Sequence, residues 1–252
     1  MKNNAQKNLC FHSKRAQLTL YMIIAAIIVA AVIFFYVSAP TQLKKTAGTK
    51  ENVNSFINDC AKKTAENSLL VIGGQGGYSI APSYSFENIT LFFDDGKDLT
   101  PSKQTLENEL AKTFDEIFGF CINDFANFEG INFSYNKSQT KATIMKEEVV
   151  FDVIYPVTLK IEDESESLLN FQTTIPLRLQ VMRDIAENFT DEQIKNATFL
   201  PIGYLNEMAY ANDFWVEIKN RENNTAIIIL TDQNYKINYV NYAFTFAGKY
   251  QT

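Results

Sequence analysis

The sequence predicts an α+β protein: one N-terminal transmembrane helix, then an exterior domain of helices packed on an antiparallel sheet. Three observations carry that prediction. Residues 18–37 (LTLYMIIAAIIVAAVIFFYV) form an uninterrupted apolar run with no charge, and twenty residues of helix cross a hydrocarbon core of about 30 Å. Residues 50–71 and 100–127 place apolar side chains at helical spacing. From Ile131 onward, alternation and β-branched residues take over. Helices followed by strands, rather than alternating with them, point to segregated layers.

The chain divides into a tail or leader (1–17), the membrane span (18–37), a short stem (38–49), a helical part (50–130) and a mostly antiparallel β part (131–252). Lys2, Lys7, Lys14 and Arg15 precede the apolar run with no acidic residue among them. Positive flanks stay in the cytoplasm, so the N-terminus is expected inside and residues 38–252 outside, in a single pass of the cell membrane. Tyr21, Phe34, Phe35 and Tyr36 suit the two interfaces, and the bilayer is the first expected partner. The AIIIL stretch at 226–230 is too short to span and reads as a buried strand. Val37-Ser38-Ala39 has the small residues of a secretory cleavage site, but Pro40 follows it and the apolar run is longer than a usual h-region. An uncleaved signal anchor is the favoured expectation.

Beyond the stem, a helix over 50–71 ends in Gly73-Gly74-Gln75-Gly76-Gly77, because glycine accepts the left-handed angles that close a helix. No Lys-Ser/Thr of a phosphate loop follows, so a turn is preferred to an anion site. Residues 86–93 read as one strand, and Asp94-Asp95-Gly96-Lys97-Asp98 as a solvated turn rather than a calcium loop. Thr100 before Pro101 predicts a hydroxyl cap with proline at the first helical position of a second helix reaching about Asn127.

Strands are expected over 142–145, 149–161 and 168–175, with Glu162-Asp163-Glu164-Ser165-Glu166 as a charged turn and Pro156 and Pro176 at bulges or strand ends. Residues 177–189 fit a helix better than a strand, through Leu177, Val181, Ile185 and Phe189. Segments 213–219, 225–231 and 236–246 read as a closing meander, with turns at 220–224 and 232–235.

Of 23 Lys and Arg, four precede the span. That leaves 19 against 29 Asp and Glu, a net charge of −10 for the rest. Such a surface offers no basic footprint for nucleic acid. Three cysteines occur: Cys10 in the tail, and Cys60 and Cys121 on the apolar faces of the two expected helices. In an oxidising compartment two inward-facing cysteines on neighbouring helices bridge, and Cys60–Cys121 is the expected disulfide. Asn88, Asn132, Asn136, Asn188, Asn196 and Asn223 open Asn-X-Ser/Thr triplets, candidate glycosylation acceptors on the exterior side.

His12, in the tail, is the only histidine. A Ser-His or Cys-His hydrolytic centre in the exterior domain is therefore excluded, as is a histidine zinc site. No cofactor is expected. A carboxylate-pair glycan hydrolase stays open only because Asp and Glu are plentiful. Glu147-Glu148 is a poor pair, since neighbours on a strand face opposite ways. Trp215, Tyr235, Tyr239 and Tyr242, with Tyr250, make a candidate contact surface for protein or carbohydrate, aromatic rings giving large area at small entropic cost.

Lys14-Arg15-Ala16-Gln17-Leu18-Thr19-Leu20 resembles the class III signal sequences of archaeal type IV pilins. The resemblance implies cleavage between Ala16 and Gln17 and an apolar helix retained as a filament core, hence a homo-oligomer. Tyr21 stands where many pilins carry a docking glutamate. Through the same basic-Ala-Gln anchor, Cys60, Gln75-Gly76-Gly77-Tyr78, Pro82, Cys121 and Tyr242-Ala243-Phe244-Thr245-Phe246-Ala247, most of the chain also resembles single-pass surface proteins of small-genome archaea. That likeness implies a surface location and no particular activity. The expectation is a membrane-anchored, non-enzymatic surface protein meeting other surface proteins or glycans, with a pilin-like subunit as the alternative.

Overall fold

Helix α1 (Lys50–Gly74) buries Val53, Ile57, Cys60, Ala61, Thr64, Ala65, Ser68, Leu69 and Ile72, a stripe recurring every three or four residues. It opens the computed structural model, which describes residues 50–161 and 164–251. These residues all fall within the unit Ala47–Thr252. The apolar run 18–37, the stem, Cys10, His12 and the Ala16–Gln17 junction lie outside the described residues, as do Glu162 and Asp163 of the charged turn. Among the described residues, no helix is long and apolar enough to cross a membrane.

The glycine turn closes α1 as its composition predicts. Gly77 N–H donates to Ile72 O at 2.8 Å, with Gly76 and Gly77 at φ 71° and 103°. Gln75 O then accepts from both the N–H and the hydroxyl of Thr90, at 3.2 and 2.7 Å, tying the helix end to the first sheet.

Residues 85–98 form β1 (Ser85–Phe86), β2 (Ile89–Asp94) and β3 (Lys97–Asp98). The single strand expected over 86–93 is corrected to a hairpin. Glu87 and Asn88 have φ 51° and 64°, the paired positive angles of a tight two-residue turn. Asp95-Gly96 makes the second turn. Helix α2 (Lys103–Ile122) starts later than Thr100-Pro101 implied: Ser102 is the cap, its hydroxyl accepting from Thr105 N–H at 3.1 Å. The helix also stops short of Asn127, because Asn123, Asp124 and Phe125 all turn left-handed, at φ 46°, 52° and 56°.

Then come β4 (Asn132–Tyr135), β5 (Gln139–Ile144), β6 (Glu148–Ile161), β7 (Glu164–Pro176), α3 (Leu179–Lys195), α4 (Ile202–Tyr210), β8 (Phe214–Arg221), β9 (Thr225–Ile237) and β10 (Val240–Lys249). Of the favoured helix over 177–189, residues 179–189 are helical, while Leu177 and Arg178 precede it. Pro156 falls where the β6–β7 register shifts, and Pro176 ends β7.

The strands form two sheets. In the second, β6 is central: β7 pairs along one edge, and β5 and β4 pair end to end along the other, all antiparallel. The first runs β1-β2-β10-β9-β8 with β3 on β2. Here the antiparallel expectation is corrected, because β2 and β10 run parallel. The expected turn at 232–235 is also corrected. Thr231 pairs Ala243 and Lys236 pairs Asn241, so these four residues bulge within β9. The turn is Asn238-Tyr239, at φ 50° and 68°.

One core cluster runs from Val53 to Phe246, so β2 and β10, from opposite sides of residue 130, share it. Within it Phe92 stacks on Phe246 at 4.8 Å between ring centres. Helix α2 lies beside the free edge of β5. Glu107 accepts Ile144 N–H at 2.9 Å and Asp115 accepts Thr140 N–H at 3.1 Å. Eight residues of helix and four of strand both span about 12–13 Å, so the helix tracks the strand and covers edge amides otherwise open to a foreign strand.

Candidate functional site

The α1–α2 pair is closed by a disulfide between Cys60 and Cys121, whose Cα atoms are 5.5 Å apart. Beside it lies an aromatic layer. Phe125 and Phe133 stack at 4.1 Å and 7°, and Phe56 and Phe128 meet edge to face at 5.3 Å. The left-handed step at 123–125 makes this possible. It sends Phe125 into the core and leaves Asp124 outside, where it accepts the Tyr135 hydroxyl. Three consecutive non-glycine residues in that conformation are costly and persist only where packing holds them.

Next to this layer a groove of about 890 Å³ opens between α2 and the β4–β5 loop. Lys112, Glu116 and Gly119 form one wall, Tyr135, Asn136 and Lys137 the other, with Tyr155 and Phe118 behind them. Asp115 holds the loop, accepting from the hydroxyls of Ser138 and Thr140, each at 2.7 Å. Burial, then the nearby Tyr135 and Asp124, push the Tyr155 phenol above its ordinary value. The hydrogen bond to Asp124 does the same for Tyr135. Both phenols therefore stay protonated near neutral pH, and Tyr135 donates to Asp124.

A second groove of about 500 Å³ lies between α4 and β8, lined by Asn206, Glu207, Tyr210, Phe214 and Trp215. Trp215 is 65% exposed and Tyr210 88% exposed. Large aromatic rings left in water beside an amide and a carboxylate suit a contact surface.

The aromatic residues singled out in the sequence separate in space. Trp215 lies in this second groove. Tyr239 is 98% exposed, at the tip of the β9–β10 hairpin. Tyr235 is half-buried and donates to Glu147 at 3.2 Å. Tyr250 is half-buried, its N–H donating to Asn224 O. Tyr242 is a correction: it is wholly buried and donates to Leu69 O at 3.1 Å. Strand parity decides this, since Tyr242, Phe244 and Phe246 share the inward face of β10. Close packing fixes it further: a Cβ added at Gly73 would fall 2.4 Å from the Tyr242 oxygen. Sequence reading missed Tyr210, because α4 was not anticipated. The spacing of Leu205, Met208 and Ala209 was the available signal.

A buried ion pair ties the segment between β7 and α3 to β9. Arg178 donates to both carboxylate oxygens of fully buried Asp232, at 2.9 and 2.6 Å, and to Asn212 O at 2.8 Å. Its guanidinium lies 4.4 Å from the Phe214 ring centre and 5.5 Å from that of Tyr235. Asp232 also accepts Asn234 N–H at 2.8 Å, which is why the bulge forms there.

All six asparagines that open glycosylation triplets are exposed. Asn88 and Asn223 sit in tight turns, Asn132 on β4, Asn136 in the β4–β5 loop, Asn188 on α3 and Asn196 just beyond it. The carboxylates of the 94–98 turn have protein partners: Asp98 accepts Thr100 N–H at 2.9 Å, Asp95 accepts from the Gln251 side-chain amide at 3.3 Å, and Asp94 lies 3.8 Å from Lys249. Compared with protein-family models, curated proteins and solved structures, the chain matches none.

Proposed function

We propose that the protein is a non-enzymatic cell-surface module, held in the membrane by residues 18–37 and presenting its α+β domain outward for envelope structure or contact. The observation that carries this reading is the Cys60–Cys121 bridge. Disulfides persist outside the reducing cytoplasm, on the same side as the positive-inside asymmetry directs the domain. The Trp215–Tyr210 groove supplies the contact surface, for other surface proteins or glycans. Cys10 gives an internal control. When thiols are trapped by acid quenching and alkylation of whole cells, Cys10 is expected to carry the alkyl group, and Cys60 and Cys121 to appear as one linked peptide. Alkylation of all three overturns the reading.

A pilin-like filament subunit is the second reading, favoured by Lys14-Arg15-Ala16-Gln17 ahead of the apolar run. Sequencing the N-terminus of the native chain decides it. A start at Gln17 supports a processed subunit, whereas retention of Met1 leaves a plain anchor.

A further inference from the structure

The groove between α2 and the β4–β5 loop has an uncommon neighbour. Asn136, one of its lining residues, opens a complete acceptor triplet with Lys137 and Ser138. Residue 136 is exposed, in a loop three residues long, where a modification displaces no secondary structure. Beside it stands the Tyr135 ring, 39% exposed, with Tyr155 6.1 Å away between centres. Lys112 and Lys137 face Asp115 and Glu116 around the opening, so the charges balance. An aromatic surface under a balanced polar rim suits a neutral sugar ring, with its apolar C–H face and its hydroxyls, better than an anion or a cation.

Gly119 supplies the room. Its φ is not positive, so its backbone does not require glycine. A Cβ placed there would have no atom within 4 Å. Glycine inside a helix is nevertheless unfavourable relative to alanine, and here it keeps a side chain out of the groove.

We propose that Asn136 carries an N-linked glycan whose first sugar seats in this groove against Tyr135. The inference rests on the exterior location argued above. The bond formed joins Asn136 Nδ2 to the anomeric carbon of a lipid-phosphate-linked sugar. The carbon–oxygen bond to phosphate breaks, the phosphate leaves with the electron pair, and the amide gives up one proton. Ser138 is tied to Asp115 in the finished fold, so transfer precedes closure of the loop. Tethering makes the open groove sufficient, because an attached ligand acts at high effective concentration and needs little affinity of its own.

The test uses the full chain, expressed through a eukaryotic secretory pathway, solubilised in detergent and trimmed by endoglycosidase to single N-acetylglucosamine residues. Peptide mapping is expected to find that sugar on Asn136. The glycosylated chain should melt roughly 2–4 °C above Asn136→Gln, and the two should match when both are made with glycosylation blocked. Gly119→Leu, which fills the groove, should keep the sugar and lose the difference; Tyr135→Ser serves as a second groove variant. Modification of any of the other five acceptors without Asn136 overturns the inference and leaves the exterior location standing. So does an occupied Asn136 whose melting matches Asn136→Gln. If no acceptor is modified, the exterior location fails and the inference with it.

Discussion

Asp232→Ala is expected to lower the unfolding free energy by about 3–5 kcal/mol, the usual cost of stranding one member of a buried ion pair. Asp232 is wholly buried and the Arg178 side chain is only 11% exposed. Removing the carboxylate leaves the guanidinium with Asn212 O and two aromatic rings, and orphans Asn234 N–H. Domains of this kind are stable by only about 5–15 kcal/mol, so the loss is a large share. The pair also ties the start of α3 to β9, and Tyr235, beside it, reaches Glu147. Denaturant midpoints of the detergent-solubilised chain measure the effect. Arg178→Met combined with Asp232→Leu should cost much less than the two single changes together, because it removes both charges rather than stranding one.

Reducing the Cys60–Cys121 bridge should cost about 4 kcal/mol. The bridged residues are 61 apart in sequence, and in the chain-entropy model a loop of that size gives roughly 4 kcal/mol. The bridge ties α1 to α2, and α2 covers the β5 edge through Glu107 and Asp115. Loosening that helix exposes the strand edge, so the reduced protein should also aggregate more readily. Midpoints with and without a thiol reductant test this, and Cys60→Ala with Cys121→Ala should reproduce the reduced value. An unchanged midpoint would show that the bridge contributes nothing.

Much of the architecture was legible because it follows from local periodicity. The stripe through Val53, Ile57 and Cys60 gave α1, the glycines its end, and alternation gave β6 and β7. Features set by distant partners were hidden. The parallel pairing of β10 with β2 joins residues more than 150 apart and leaves no local signature. The β1–β2 hairpin was missed because Glu87 and Asn88 adopt positive φ without a glycine to announce it. The aromatic residues singled out as a contact surface do not share one environment. Trp215 faces solvent while Tyr242 lies in the core, and strand parity and the close packing of Gly73, both structural facts, separate them. Each groove is bounded by an element the sequence did not announce, β4 with its following loop in the first and α4 in the second, so neither was visible beforehand.

Protease shaving of intact cells tests the topology most directly. With the bulk of the chain displayed outside, added protease should release peptides from residues 50–251 while the bilayer shields the segment around Lys14 and Arg15. If those peptides appear only after the cells are lysed, the domain faces the cytoplasm and the surface role is contradicted.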